Sequence, residues 1–105
     1  MKRFYKVLLH PEAETEYLKS IEWYEDALPG LGNDFIHEVK VILEYIASKP
    51  YSFQIKKWNL REASLKKFPY VIVYKLDVLN NYILVLSVFH TSRNPKKKFT
   101  RKLKP

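Results

Sequence analysis

Apolar residues recur three and four apart in two stretches of this chain and gather into short continuous runs elsewhere. In the first stretch Ala13, Tyr17, Ile21, Tyr24 and Leu28 line one face of a helix that opens at Pro11. Proline suits that first position, because its missing N–H has no partner within a helix. Glu12 and Glu14 follow where the helix dipole is positive. His10 is an unusual residue to stand before a helix, where serine or aspartate caps better. Pro29-Gly30-Leu31-Gly32 ends this helix and starts a second, which carries Phe35, Val39, Ile42 and Ile46 on one face with Ile36 and Leu43 beside it, and stops before Ser48-Lys49-Pro50. So short a connection predicts an antiparallel helical hairpin. Residues 3–9 read as a strand ahead of the hairpin. Residues 51–59 fit a loop or a short edge segment. Leu60 to Phe68 alternates imperfectly and reads as a strand, Pro69 interrupts it, and Tyr70 to Leu76 is β-branched and aromatic. A turn occupies 77–81. Tyr82 to His90 is nearly all apolar, as befits a central strand covered on both faces. The expectation is an α+β domain of order β-α-α-β-β-β: an antiparallel meander with the hairpin on one face and the first strand beside the last.

Composition narrows the class. The 105 residues are 47% hydrophobic and 15% aromatic, with two glycines, which favours a packed core over disorder. No cysteine is present, so disulfides and thiolate metal sites are excluded, as expected of a reducing cytoplasm. Val7-Leu8-Leu9 is too short for a signal-peptide core, and Tyr82 to Phe89 is less than half of the ~20 residues a membrane span requires. A soluble, cytoplasmic protein is expected. Residues 1–50 carry six Lys and Arg against nine Asp and Glu, a net of −3, whereas residues 51–105 carry thirteen against two, a net of +11. The basic half calls for an acidic partner, nucleic acid or protein. Its cations do not lie opposite an apolar helix face, so a membrane is not expected. Residues 1–95 are read as one domain and 96–105 as a basic tail, with six cations in ten residues.

Three stretches, taken together, resemble the RelE/ParE toxin superfamily in its ParE-like branch. The first is Ile21-Glu22-Trp23-Tyr24-Glu25 followed by Leu28-Pro29-Gly30-Leu31-Gly32 and Phe35. The second is Leu60-Arg61-Glu62-Ala63, leading through Lys66-Lys67-Phe68-Pro69-Tyr70 into Val71-Ile72-Val73-Tyr74. The third is Leu86-Ser87-Val88-Phe89-His90 followed by Arg93-Asn94-Pro95. The resemblance implies the toxin of a type II toxin–antitoxin pair, held inactive by a cognate antitoxin. Members with this pattern resemble inhibitors of DNA gyrase, and more distant relatives are ribosome-dependent mRNA endoribonucleases.

The residues themselves bear on that choice. A metal-free ribonuclease needs a base for the 2′-hydroxyl, an acid for the leaving oxygen, and cations for the charged phosphorane. His90 at the strand end could act as acid or base, Arg93 could clamp a phosphate, and Arg61 and Lys66 could add charge from a neighbouring strand. Glu62 is the obvious carboxylate, but adjacent strand residues point to opposite faces, so Arg61 and Glu62 do not readily share a site. His90 reads equally well as a strand-end histidine satisfied by backbone or an aromatic neighbour, and Arg93 as a turn residue. His10 and His37 read as surface residues. Lys96, Lys97, Lys98 and Arg101, with Arg61, Lys66 and Arg93, are candidates for contact with a target or nucleic acid, while the tail equally reads as a solvated end. Trp23 falls off the apolar stripe, which marks it as an exposed aromatic at an antitoxin or dimer contact, and Phe99 and Leu103, four apart, could dock on a partner. No phosphate loop, zinc spacing or nucleophile elbow occurs, so neither metal nor cofactor is expected. The resulting expectation is a gyrase-inhibiting toxin with an acidic antitoxin partner and self-association as a homodimer when that partner is absent. An mRNA endoribonuclease acting on the ribosome, and a non-toxic nucleic-acid-binding module, are the alternatives.

Overall fold

A computed structural model describes residues 4–92. Strand β1 runs Lys6–Leu9, helix α1 Pro11–Ala27 and helix α2 Leu31–Ser48; a 3-10 turn follows at Pro50–Ser52. Then come β2 Ile55–Lys57, β3 Leu60–Ser64, β4 Tyr70–Asp77 and β5 Tyr82–His90. The expected order holds, with one strand added: part of the ambiguous 51–59 stretch becomes edge strand β2. The five strands lie in the order β1-β5-β4-β3-β2. β1 joins β5 as expected, but parallel to it, while the other pairs are antiparallel. The sheet is therefore mixed at one edge.

Local chemistry accounts for the boundaries. His10 is a working cap after all: its imidazole Nδ1 accepts the Glu12 N–H at 3.1 Å. At the hairpin, Gly30 takes a left-handed φ of 94°, and the Glu25 carboxylate accepts the N–H groups of Gly30 and Gly32. A Cβ at Gly32 would sit 3.1 Å from the Ile21 carbonyl and 2.9 Å from a Glu25 oxygen, so glycine lets the two helices meet there. β3 stops at Ser64 rather than Phe68. Residues 65–69 turn instead, with the Lys66 and Lys67 N–H groups donated to the Glu38 carboxylate of α2.

The main core lies between the hairpin and the sheet. Phe35, wholly buried, meets Phe68 and Tyr70 edge-on at centroid distances of 5.2 and 4.9 Å, and Tyr24 meets Phe68 at 4.8 Å. Such edge-to-face pairs add to the burial of large apolar surfaces. The two buried phenols on β4 are both satisfied: Tyr70 donates to Ser20 Oγ at 2.8 Å and Tyr74 to the Pro50 carbonyl at 2.7 Å. Burial pushes the Tyr74 phenol up to about 12, against a smaller opposing pull from Arg61.

The pairing of β4 with β5 slips by one residue between Val73 and Tyr74. The slip inserts one residue into β5, so residues on either side of it exchange faces. Ile83 and Val85 face the helices, and so does Val88, whereas Leu84, Leu86 and Phe89 join the opposite face.

Candidate functional site

The bulge decides where the sequence's histidine candidate points. Beyond it, His90 pairs directly with Tyr70 and packs against that ring at 5.1 Å. His90 is half-buried at the end of β5, and its Nδ1 accepts the Ser92 N–H at 3.1 Å. In a neutral ring that bond leaves the proton on Nε2, which makes Nε2 a donor rather than a base. The backbone and the aromatic neighbour both engage this side chain. Thr91 closes the strand end, its N–H and hydroxyl both donating to the Pro69 carbonyl. Lys66 and Lys67 stand exposed in the turn that precedes Pro69, so this end of the sheet gathers His90 with two cations. Lys66 therefore lies in a turn pinned by Glu38, not on the strand beside Arg61.

Arg61 occupies a different place. It pairs with Tyr74 on β3, while His90 pairs with Tyr70 on β5. Four residues along β4 and two strand spacings separate the two backbones, roughly 16 Å. The Arg61 guanidinium is engaged locally, donating to the Phe53 carbonyl at 2.6 Å and lying over the Tyr51 ring at 5.2 Å. It ties the 3-10 turn and the approach to β2 onto β3. Glu62, opposite Val73, faces away from the helices, as the alternation argument anticipated. His90, Arg61 and Glu62 are thus not brought together. Arg93, Lys96, Lys97, Lys98, Phe99, Arg101 and Leu103, and the boundary at residue 95, lie outside the described residues.

Other surface features have the character of contact sites. Trp23 is 60% exposed on α1, with Leu18 and Leu28 also exposed on the hairpin. The margin of the sheet at β2 presents Ile55, Lys56 and Lys57, all exposed. At the far end, the β4–β5 turn holds Leu79 almost wholly in solvent. That turn is braced by Asp77, which accepts from the backbone and side chain of Asn80; those bonds keep its carboxyl below the usual range. An open groove of about 440 Å³ lies at the end of α2, lined by Tyr5, Ser48, Lys49, Pro50, Tyr51 and Ser52. The sequence reading missed this groove, for which an aromatic residue directly after Pro50 was the available signal, and had the β2 margin only as one of two alternatives. Among the described residues, no cluster of three or more His, Asp or Glu could hold a metal ion, and no helix is long and apolar enough to cross a membrane.

Residues 7–95 match the family model for the ParE toxin of the type II toxin–antitoxin system parDE. No protein of curated function matches the sequence. A chain in a solved structure of the chromosomal ParDE toxin–antitoxin system from P. aeruginosa superposes with a TM-score of 0.72 at 9% identity, over 83% of this chain and 96% of that one. At that identity the likeness speaks to the fold alone.

Proposed function

The chain belongs to the ParE toxin family of type II toxin–antitoxin systems, and on that footing we propose a toxin that stops DNA gyrase by binding it and performs no bond-breaking chemistry. A toxin of such a system has an antitoxin; we infer an acidic one, which answers the basic second half of this chain. What supports binding over cutting is the scatter of the ribonuclease candidates. His90 and Arg61 sit on opposite sides of β4 and at different heights along it, and Glu62 faces away from both the helices and Arg61. General acid–base catalysis requires groups within hydrogen-bond reach of one reacting phosphate, whereas the Arg61 guanidinium is held on the Phe53 carbonyl and over the Tyr51 ring, on a strand that does not adjoin that of His90.

Ile55, Lys56 and Lys57 suit an added acidic strand at the sheet margin, and Trp23 suits an aromatic anchor for the antitoxin or for a second copy of the toxin. The deciding experiment titrates purified toxin into a gyrase supercoiling reaction and, separately, into a translating extract. Supercoiling is expected to stop while mRNA stays whole, and antitoxin is expected to restore supercoiling. Cut mRNA with undisturbed supercoiling would replace this reading with the ribonuclease one.

A further inference from the structure

The open groove at the end of α2 is built from segments that are tied together. The Tyr5 N–H donates to the Ala47 carbonyl at 3.0 Å, which fastens the approach to β1 onto the last turn of α2. The 3-10 turn Pro50–Ser52 follows directly. It is pinned on both sides: Tyr74 donates to the Pro50 carbonyl at 2.7 Å and Arg61 to the Phe53 carbonyl at 2.6 Å, while the Ser52 N–H donates to the Lys49 carbonyl at 3.1 Å. The groove measures about 440 Å³, within the roughly 300–1,000 Å³ range of small-ligand sites.

Tyr51 stands out in its lining. The residue is 60% exposed, so it contributes little to the core. Its ring is nevertheless held, because the Arg61 guanidinium lies over it at 5.2 Å. A ring fixed in this way and open over most of its surface offers a plane for stacking at little cost in lost freedom. Tyr5, Ser48 and Ser52 add hydroxyls to the lining, and Lys49 adds an ammonium. Charge continues beyond the groove. Residues 45–61 carry four Lys and Arg and no Asp or Glu. Lys49, and Lys56 and Lys57 on β2, are exposed.

We propose that this groove takes one base of a single-stranded nucleic acid, stacked on Tyr51, with the flanking phosphates led out to Lys49 and toward Lys56 and Lys57. Helix polarity favours this ligand over an acidic peptide. The groove sits at the carboxyl end of α2, where the dipole is negative. A carboxylate drawn into it would face that end with one lysine to answer, whereas a base enters neutral and leaves its charge outside. The hydroxyls serve a base edge or a sugar as donor or acceptor. Every base has a π face, so little sequence preference is expected. The proposal goes beyond the gyrase reading and does not depend on it.

Fluorescence anisotropy with the full-length protein compares a labelled oligothymidylate with a backbone of the same length and charge that carries no bases. The chain's net charge of +8 attracts both. The oligothymidylate is expected to bind roughly tenfold tighter, the margin of one stacked base. Tyr51→Ala should erase that margin and leave the abasic probe unaffected, and Tyr51→Trp should keep it. The exposed position lets both variants fold, which a near-parental melting midpoint checks. Lys49→Ala should weaken both probes alike. Equal binding of the two probes, or a margin that survives Tyr51→Ala, would overturn the proposal. So would an oligoglutamate of matched charge that displaces the oligothymidylate and itself binds less well to Tyr51→Ala, since the groove would then be a peptide site.

Discussion

Glu16 tests how β5 is sealed where its parallel partner ends. β1 stops at Leu9, opposite Val85, and α1 begins two residues later. Beyond that point Glu16 Oε1 takes the place of a strand: it accepts the Ser87 hydroxyl at 3.0 Å and the Val88 N–H at 3.2 Å. Both residues are buried, Ser87 completely. Glu16→Ala leaves a buried N–H and a buried hydroxyl without this acceptor. Each such orphan costs about 1–3 kcal/mol, and the hydroxyl can rotate to soften its share, so the expected loss is roughly 2–4 kcal/mol. Glu16→Gln keeps a carbonyl oxygen at the same reach and gives up only the extra strength of a charged acceptor, about 1 kcal/mol. Urea unfolding measures both, with the midpoint falling and the slope unchanged. For a domain of this size the alanine variant should melt roughly 10–18 °C lower. In a double-mutant cycle with Ser87→Ala the two losses should be less than additive, because they share one interaction. If Glu16→Ala matches the glutamine variant, or both fall within ~0.5 kcal/mol of the parent, the seal is not what holds this edge.

The remaining expectations concern the phenols and the proposed contacts. Tyr74 should titrate far above an ordinary tyrosine, near 12. Its folded pKa is raised above the unfolded value near 10, so the associated stability is complete below pH 10. It drains away between 10 and 12, followed by phenolate absorbance during alkaline unfolding. Arg61→Ala removes the bond to the Phe53 carbonyl and the contact over Tyr51, and should cost about 1–3 kcal/mol in a denaturant melt. His90→Ala should leave gyrase inhibition within a few-fold of the parent, measured by supercoiling titration; abolition would return His90 to a central role. Trp23→Ser should cost the fold no more than about 1 kcal/mol, since most of the side chain is exposed, yet weaken antitoxin binding about tenfold or more by calorimetry.

Helices and strands were legible in this chain to different degrees for a common reason. The hairpin announces itself because Tyr17, Ile21 and Tyr24, and then Phe35, Val39 and Ile46, sit at helical spacing beside polar neighbours. β5 announces its existence but not its faces. From Tyr82 to Phe89 every position except Ser87 is apolar, so no alternation marks the bulge that turns His90 toward Tyr70. β2 is three exposed residues long, too short to show a period. Its turn places Trp58 and Asn59 at positive φ without the glycine that usually signals such a hairpin. The early end of β3 depends on Glu38 capturing Lys66 and Lys67 from 28 and 29 positions away, a contact that local pattern cannot express.

The candidate site divides along the same line. That Arg61 and Glu62 oppose each other follows from adjacency on a strand, and it was readable. That Arg61 and His90 stand far apart follows from register across β4, and it was not. Motif order along the chain suggests a cluster of cations around a histidine. Strand pairing sets Arg61 and His90 on different strands at different heights and puts Glu62 on the other face. A surface with charge in several places and no convergent pair is poor at transferring protons. It suits gripping a large partner, where separated contacts add and none need meet.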